Sequence, residues 1–509
     1  MLSKVKTCCL TGLMVTMIEV EVDISRGLPN VNVVGLPDMA IKESKDRVRA
    51  AIQNSGLDFP LKRITVNLSP AHIKKEGSHF DLPIALGILG ASMQIPLEEL
   101  EDTLVLGELS LDGKTNRVNG VLPMLLETYN EGIKKVIVPY ENLEEAKIVD
   151  GIEIIPVHTL NDIMFHLIGE KRLNTHIGPF RYNRNEKTNS EDFKDLHGQE
   201  NLKRALEIAA SGNHNLLTIG PPGSGKTMAA RRLPSILPRL TFQEALEITK
   251  IYSVAGLLNA HEGLIYNRPF RSPHHTSSIV AITGGGRIPK PGEVSLSHYG
   301  VLFLDELPEF SKASLEVLRQ PMEDRVIHIS RINGSCTYPA DFMLLAAMNP
   351  CPCGYYGTDG GQQCNCTAGQ INRYVSKISG PLMDRIDIIV ETSSVKYKDL
   401  TDNTGSESSE EIRKRVEKAR EIQLERYKKT KYLFNSQLNG AAINKYCSLN
   451  PGAQQLMNLA FHRMNLSARG YSRVLKVART IADLDGQDVI CENHLAEALQ
   501  YRNLSGLIP

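Results

Sequence analysis

Gly220-Pro221-Pro222-Gly223-Ser224-Gly225-Lys226-Thr227 decides how the rest of this chain is read. Every fixed position of the phosphate-binding pattern G-x-x-x-x-G-K-[ST] is filled. The run Leu216-Leu217-Thr218-Ile219 before it suits a buried strand, and Met228-Ala229-Ala230 after it opens a helix-like stretch. Glycines let backbone N–H groups turn inward around phosphate oxygens at the positive end of a helix. Lys226 is expected to reach the β- and γ-phosphates of a nucleoside triphosphate and Thr227 to hold Mg²⁺. A chance glycine-rich turn is the bland alternative, and the strand–loop–helix context argues against it.

A second signature lies downstream. Val301-Leu302-Phe303-Leu304 reads as a buried strand, with Asp305 and Glu306 at its carboxyl end. In open parallel sheets that end is where ligands bind. Asp305 is expected to hold Mg²⁺ through its water shell, and Glu306 to orient and deprotonate the attacking water. An Asp-Glu pair closing a strand is common by itself; combined with the loop at 220–227 it is specific. Met343 to Met348 forms another buried strand, followed by Asn349-Pro350. Further on, Gly380-Pro381-Leu382-Met383-Asp384-Arg385-Ile386-Asp387 precedes the strand Ile388–Glu391, and Leu466-Ser467-Ala468-Arg469-Gly470 opens a helix.

The 509-residue chain is too long for one core, so two to four domains are expected. Acidic and basic residues balance at 58 each, so any nucleic-acid surface must be local. Residues 1–170 alternate strand-like and helix-like patterns, as in an α+β domain: strands at Val31–Val34, Ile64–Leu68, Val136–Pro139 and Ile152–Pro156, and a helix from Met39 to Asn54. Residues 171–194 read as a polar linker. Residues 195–393 make the nucleotide-binding α/β core. Residues 394–509 are a helical region, entered through a flexible stretch at 401–410 that ends in helix-cap chemistry. No solenoid-type repeat is present. No run of about 20 apolar residues exists to span a membrane. The apolar N-terminal stretch lacks a small-residue cleavage site and runs into the period-two pattern Glu19-Val20-Glu21-Val22-Asp23-Ile24, so it reads as a folded first strand.

Nine cysteines are scattered except for four between 351 and 366, which suggests a reducing, cytoplasmic compartment and one metal site. Cys351-Pro-Cys353 and Cys364-Asn-Cys366 supply four thiolates, enough for a tetrahedral zinc site. The usual zinc pairs are C-x-x-C, so four free thiols or redox-active pairs remain the alternative. A loop with few large aliphatic residues favours a metal staple. Following Asn349 directly, such a site is expected to brace a pore or subunit interface and to be non-catalytic.

The order of loop, Asp-Glu strand, Asn, Arg and helical-region Arg resembles that of AAA+ ATPases. The resemblance implies that Asn349 helps position the lytic water, that Arg385 is an arginine finger inserted into a neighbouring subunit's site, and that Arg469 is the sensor-2 arginine of a helical lid, with Arg473 as fallback. An ordinary Asn-Pro turn and an Arg385 ion pair with Asp384 or Asp387 are the bland counterparts. The strings Arg-Pro-Phe-Arg-Ser-Pro-His-His-Thr (268–276), Cys-Pro-Cys-Gly (351–354) and Ser-Gly-Pro-Leu-Met-Asp-Arg-Ile-Asp (379–387) narrow the likeness to the magnesium-chelatase-like group, in particular the YifB/ComM family.

That resemblance covers essentially the whole chain. It implies ATP and Mg²⁺ as cofactors, a hexameric ring, and a DNA helicase driving branch migration during natural transformation. It places an insert at about 245–298, containing Gly284-Gly285-Gly286, Arg268, Arg271, Arg287 and Lys290. It places a pore hairpin at Val326–Tyr338, where His328 and Arg331 would touch phosphates. DNA binding would be backbone-directed and salt-sensitive. A chelatase-type protein-remodelling or metal-insertion chaperone is the rival reading. The stretches 75–82 and 107–113 resemble a Lon-protease-like domain of ribosomal-S5-like fold. His79, beside Ser78, stands where Lon proteases place their nucleophile, and residues 119–123 contain no lysine. A Ser–Lys dyad needs both members, so no peptidase activity is expected.

Overall fold

The computed structural model describes residues 2–182, 191–286, 289–331, 334–357, 362–393 and 407–502. It is a mixed α/β architecture ending in a helical region. At the N-terminus a seven-stranded mixed sheet runs in the order Asn30–Val34, Arg63–Ser69, Met14–Ser25, Leu2–Thr11, Thr103–Val105, Lys135–Pro139, Glu153–Val157. The apolar N-terminal stretch is not one strand but two. Leu2–Thr11 and Met14–Ser25 pair antiparallel around Gly12, whose φ of 65° gives the tight reversal. Alternation then sorts the faces: Val20 and Val22 are fully buried, while Glu19 pairs with Lys4 at 2.8 Å on the outside. The helix Met39–Asn54 starts at Asp38, whose side chain accepts from the Ile41 amide.

The central sheet holds five parallel strands in the order Phe270–Arg271, Val301–Leu304, Met343–Met348, Leu216–Ile219, Ile388–Glu391. The four longer strands are buried on both faces, which is why they read as apolar runs, whereas the edge strand Phe270–Arg271 is half-buried. Leu216, Phe303, Leu345 and Ile388 face one layer, with helices Glu200–Gly212 and Lys226–Ile236. Leu217, Leu302, Leu304 and Leu344 face the other, with Ile327, Ile329 and Tyr338 of a hairpin. Each fully buried Leu or Ile contributes roughly 1.5–3 kcal/mol. The first layer continues into the C-terminal helices, so Val416 of Ser409–Tyr427 and Val474, Val477 and Ile481 of Ala468–Leu484 share that core. Ser408 and Glu411 form a reciprocal cap at the start of Ser409–Tyr427.

The hairpin comprises Val326–Arg331 and Gly334–Pro339, ending one residue beyond the expected Val326–Tyr338. Its turn residues Ile332 and Asn333 lie outside the described residues, as does Arg287. The expected linker at 171–194 is partly anchored. His176 bridges to Ile154, the Phe180 amide donates to Asp150, and the Tyr182 hydroxyl donates to Leu240 O at 2.6 Å. Tyr182 also stacks on Tyr266. Aromatic anchoring, invisible to a composition argument, fixes this segment's described part. Among the described residues no helix is long and apolar enough to cross a membrane.

Candidate nucleotide-binding site

All five strands run the same way, so Gly220, Asp305, Asn349 and Thr392 emerge together at their carboxyl ends. The strand Leu216–Ile219 sits between Met343–Met348 and Ile388–Glu391, where the strand order reverses. Such a switch point opens a crevice for ligand.

Close packing dictates the loop's composition. A Cβ on Gly220 would lie 2.0 Å from Thr392 Oγ1 and 2.5 Å from Thr392 O, so only glycine fits there. Gly223 and Gly225 take left-handed φ values of 76° and 84°, and Gly225 is the residue from which helix Lys226–Ile236 starts. Ser224 Oγ and Thr392 Oγ1 share a hydrogen bond of 2.9 Å, bracing the loop against the neighbouring strand.

Lys226 Nζ is buried and donates to Gly220 O at 2.7 Å, Pro221 O at 2.8 Å and Asn349 Oδ1 at 3.3 Å. Burial pulls its ammonium down to about 8, against the opposing pull of the Asp305 carboxylate. The Thr227 hydroxyl donates to Asp305 Oδ2 at 2.8 Å. A hydroxyl and a carboxylate converging beside a phosphate cradle are hard oxygen donors that fit Mg²⁺. Glu306 adopts φ 52°, ψ 47°, an uncommon conformation for a residue with a side chain. Its amide donates to Asp305 Oδ1 at 2.9 Å, and its exposed carboxylate lies 3.6 Å from His275 Nδ1. The structure therefore brings Lys226, Thr227, Asp305, Glu306 and Asn349 together.

Arg385 and Arg469 are elsewhere. Both line a cavity of about 600 Å³ with Arg473, Lys476, Glu323 and Asp387. Asn215, Phe342 and Asp387 in its wall directly precede three of the sheet's strands, so it opens at their amino ends. A four-residue strand, roughly 13 Å long, separates the two ends. Arg385 pairs with Glu323 at 2.5 Å and donates to Pro381 O at 2.7 Å, and its buried Nε has no partner among the described residues. It is Arg473, not Arg385, that pairs with Asp387, at 3.4 Å; Arg469 lies 3.7 Å from Asp384 and is exposed.

Two arginines of the expected insert are engaged inside the protein. Arg268 donates to Pro238 O at 2.6 Å and Tyr299 O at 2.8 Å, and Arg271 forms a two-pronged pair with Glu293 at 2.6 and 2.7 Å. Lys290 is exposed, and His328 lies on the exposed hairpin face, bonded to Thr337 at 2.9 Å. In the N-terminal sheet region, Ser78 donates to the Glu108 carboxylate, and buried His79 contacts Cys8 O at 2.8 Å.

The four loop cysteines bring their sulfurs within 4.8 Å of one another. The loop does not stand apart from the nucleotide crevice: a Cβ on Gly354 would lie 2.7 Å from Pro222 Cδ, so the cysteine loop rests on the phosphate-binding loop itself.

Sequence reasoning missed Thr392 and His275. Thr392 was recoverable, since it follows the apolar strand that closes on the loop. His275 reaches Glu306 from a segment with no regular pattern, and no sequence signal would have placed it there.

Comparison with known proteins accords with this geometry. Residues 192–400 match the family described as magnesium chelatase, subunit ChlI. Residues 20–142 match subunit ChlI of Mg-chelatase, and 406–502 the ChlI C-terminal family. Competence protein ComM of Haemophilus influenzae is 44% identical over 502 residues, covering 98% of this chain and 96% of that protein. The uncharacterized protein YifB of Salmonella typhimurium is 43% identical over 508 residues, covering 100% and 98%. Lon protease 2 of Bacillus subtilis is 28% identical over 166 residues, 30% of each chain. With full-length relatives at this identity and chelatase families matched along its length, the chain belongs to the YifB/ComM family of magnesium-chelatase-like AAA+ proteins.

Proposed function

We propose that this protein is an ATP-driven ring motor that moves DNA strands, a helicase promoting branch migration. One observation carries the motor reading: the phosphate-side residues and the two candidate arginines lie at opposite ends of one sheet. A single subunit then holds only part of a hydrolytic site, and a neighbour's Arg385 and Arg469 complete it, as in a closed ring with one repeated heterologous interface.

In this reading Lys226 and the loop amides grip the β- and γ-phosphates. Thr227 and Asp305 hold Mg²⁺, which would neutralise charge on the phosphates. Asn349 and Glu306 orient a water, and Glu306 accepts its proton as the water oxygen bonds to the γ-phosphorus and the bond to ADP breaks. Lys226 must exchange its contacts with Gly220 O and Pro221 O for phosphate oxygens. The neighbour's Arg385 meets the developing charge.

DNA as the load is supported by the full-length likeness to a protein named for competence and by the exposed face of the hairpin, which bears His328. We assign residues 1–170 to a Lon-like domain without peptidase activity, because His79 stands where Lon proteases place their nucleophile and residues 119–123 contain no lysine. A protein client, suggested by the chelatase name of the matching families, is the second reading.

A synthetic Holliday junction separates the two. The motor reading expects ATP-dependent strand exchange, lost in Lys226→Ala, with ATPase stimulated by branched DNA and weakened as salt rises. Branch movement that persists in Lys226→Ala would overturn it. ATPase activity indifferent to every DNA form would favour the protein client.

A further inference from the structure

We propose that Cys351, Cys353, Cys364 and Cys366 together bind one Zn²⁺, and that this metal clamps the phosphate-binding loop in its working position. The sulfurs carry the first half. Cys351 Sγ lies 3.2 Å from Cys353 Sγ and 3.7 Å from Cys364 Sγ, and Cys353 Sγ lies 3.5 Å from Cys364 Sγ. Zinc–sulfur bonds of about 2.3 Å in a tetrahedron put sulfurs about 3.8 Å apart. All four thiols are free; the three spacings of 3.2–3.7 Å, with Cys366 Sγ within 4.8 Å of the others, suit one shared ion rather than two disulfides, whose sulfurs would approach to about 2.05 Å. A cluster of several irons would spread its thiolates wider. The Cys366 amide donates to Cys364 Sγ at 3.4 Å, supporting a thiolate there.

The loop also needs such a staple. Among the described residues of 351–366 only Cys351 and Gly354 are buried, so no apolar core of its own holds the segment. Small units without a core are commonly organised by metal.

Placement carries the second half. Cys351 follows Asn349 by two residues, and Asn349 accepts from Lys226. Gly354, at φ 90°, lays its backbone against Pro222. After Cys366, Thr367 caps the helix Ala368–Val375, whose Tyr374 is buried in the same layer as Leu304 and Leu307. One ion would therefore fix three things: the end of the strand bearing Asn349, the Pro222 side of the loop, and a helix packed beside the Asp305–Glu306 strand. Beside the expected bracing of a pore or interface, its seat on Pro222 gives the loop a place to act at the nucleotide crevice. The clamping rests on the nucleotide-site reading, whereas metal binding does not.

The test uses full-length protein purified under reducing conditions. Elemental analysis is expected to give one zinc per chain in the wild type and in Lys226→Ala, and none in Cys353→Ser/Cys364→Ser. Cobalt replacement is expected to show the sulfur-to-metal charge-transfer and visible bands of tetrahedral thiolate coordination. Because the double variant could misfold, zinc is also removed from the wild type with a mercurial and restored. Affinity for a fluorescent ADP analogue is expected to fall roughly tenfold on removal and recover on re-addition, as preorganisation is lost and regained. A metal-free wild type, zinc retained by the double variant, or a disulfide among the four cysteines overturns the site. Unchanged ADP affinity after stripping overturns the clamp. A zinc-loaded protein that binds no nucleotide overturns the nucleotide reading and, with it, the clamp, but leaves the metal site standing.

Discussion

Lys226 Nζ lies 3.3 Å from Asn349 Oδ1, tying the phosphate-binding loop to the end of the adjacent strand. The contact links the residue expected to bind phosphate to the one expected to steer water. Asn349→Ala should leave nucleotide affinity nearly intact, because Lys226 keeps its loop carbonyls, and should lower turnover by ~10²-fold, as removal of a transition-state donor does. Steady-state ATPase kinetics check this: a large rise in KM with unchanged kcat would assign Asn349 to ground-state binding instead.

Lys226 also predicts a pH dependence. Its ammonium is held near 8 in the nucleotide-free protein, and only the charged form pairs with phosphate. Binding raises the lysine's pKa, so affinity is complete below about 8 and declines as pH rises above it, by up to about tenfold per unit. Titrating ADP affinity between pH 7 and 10 measures it. A flat profile would mean that Lys226 stays charged throughout. The folding side has the opposite sign: a buried lysine with a lowered pKa destabilises the fold at low pH, and that cost disappears as pH rises through 8 toward 10.5.

Glu306 should separate binding from chemistry. Its strained backbone aims an exposed carboxylate out of the strand end, with His275 alongside. Glu306→Gln keeps size and shape but removes the base. It should bind ATP like the wild type and hydrolyse it ~10²–10⁴-fold more slowly. Equal hydrolysis in the two proteins would make this a binding scaffold rather than a motor.

Arg385 offers a test of sharing between subunits. Because it lies at the amino ends of the strands, Arg385→Ala should lose ~10³–10⁵-fold in turnover while its own loop still binds nucleotide. Lys226→Ala should fail for the reason opposite in space. Mixing the two inactive proteins should restore part of the activity, since some interfaces then pair an intact loop with an intact arginine. No recovery, with mixed assemblies verified, would make Arg385 a structural partner of Glu323.

Four of the sheet's strands were legible because they are buried on both faces and read as short apolar runs; Leu216–Ile219 and Val301–Leu304 needed only their composition, whereas the half-buried edge strand Phe270–Arg271 carries no such run. The loop and the Asp305–Glu306 pair were legible because phosphate chemistry demands those residue types at fixed spacing. What was hidden depends on distance along the chain. Nothing in the sequence says that Arg268 and Arg271 spend their guanidinium groups on Tyr299 O and Glu293. Residues 171–182 looked like linker until Tyr182 found Tyr266. The seat of the cysteine loop on Pro222 is a backbone approach that only Gly354 hints at, and a glycine among several in a loop does not say what it touches.

Asp387 couples the central sheet to the C-terminal helices and should govern acid stability. Its carboxylate lies 3.1 Å from His214 Nδ1 and 3.4 Å from Arg473 Nε of the helix Ala468–Leu484. Burial alone would raise its pKa, but hydrogen bonding to His214 and the charges of Lys476, His214 and Arg473 prevail and hold it at about 2, below the ordinary 3.8. A depressed carboxyl stabilises the fold above its unfolded value, and that stability is lost as pH falls from about 4 toward 2. The shift corresponds to about 2 kcal/mol at neutral pH. Asp387→Asn should remove at least that much and leave Arg473 and Lys476 buried with less compensation. Its unfolding midpoint at pH 7 should drop, and the drop should shrink at pH 3, where the wild type is losing the same contribution. A difference between the two proteins that stays constant from pH 7 to pH 3 would show that the Asp387 charge does not hold the helical region to the sheet.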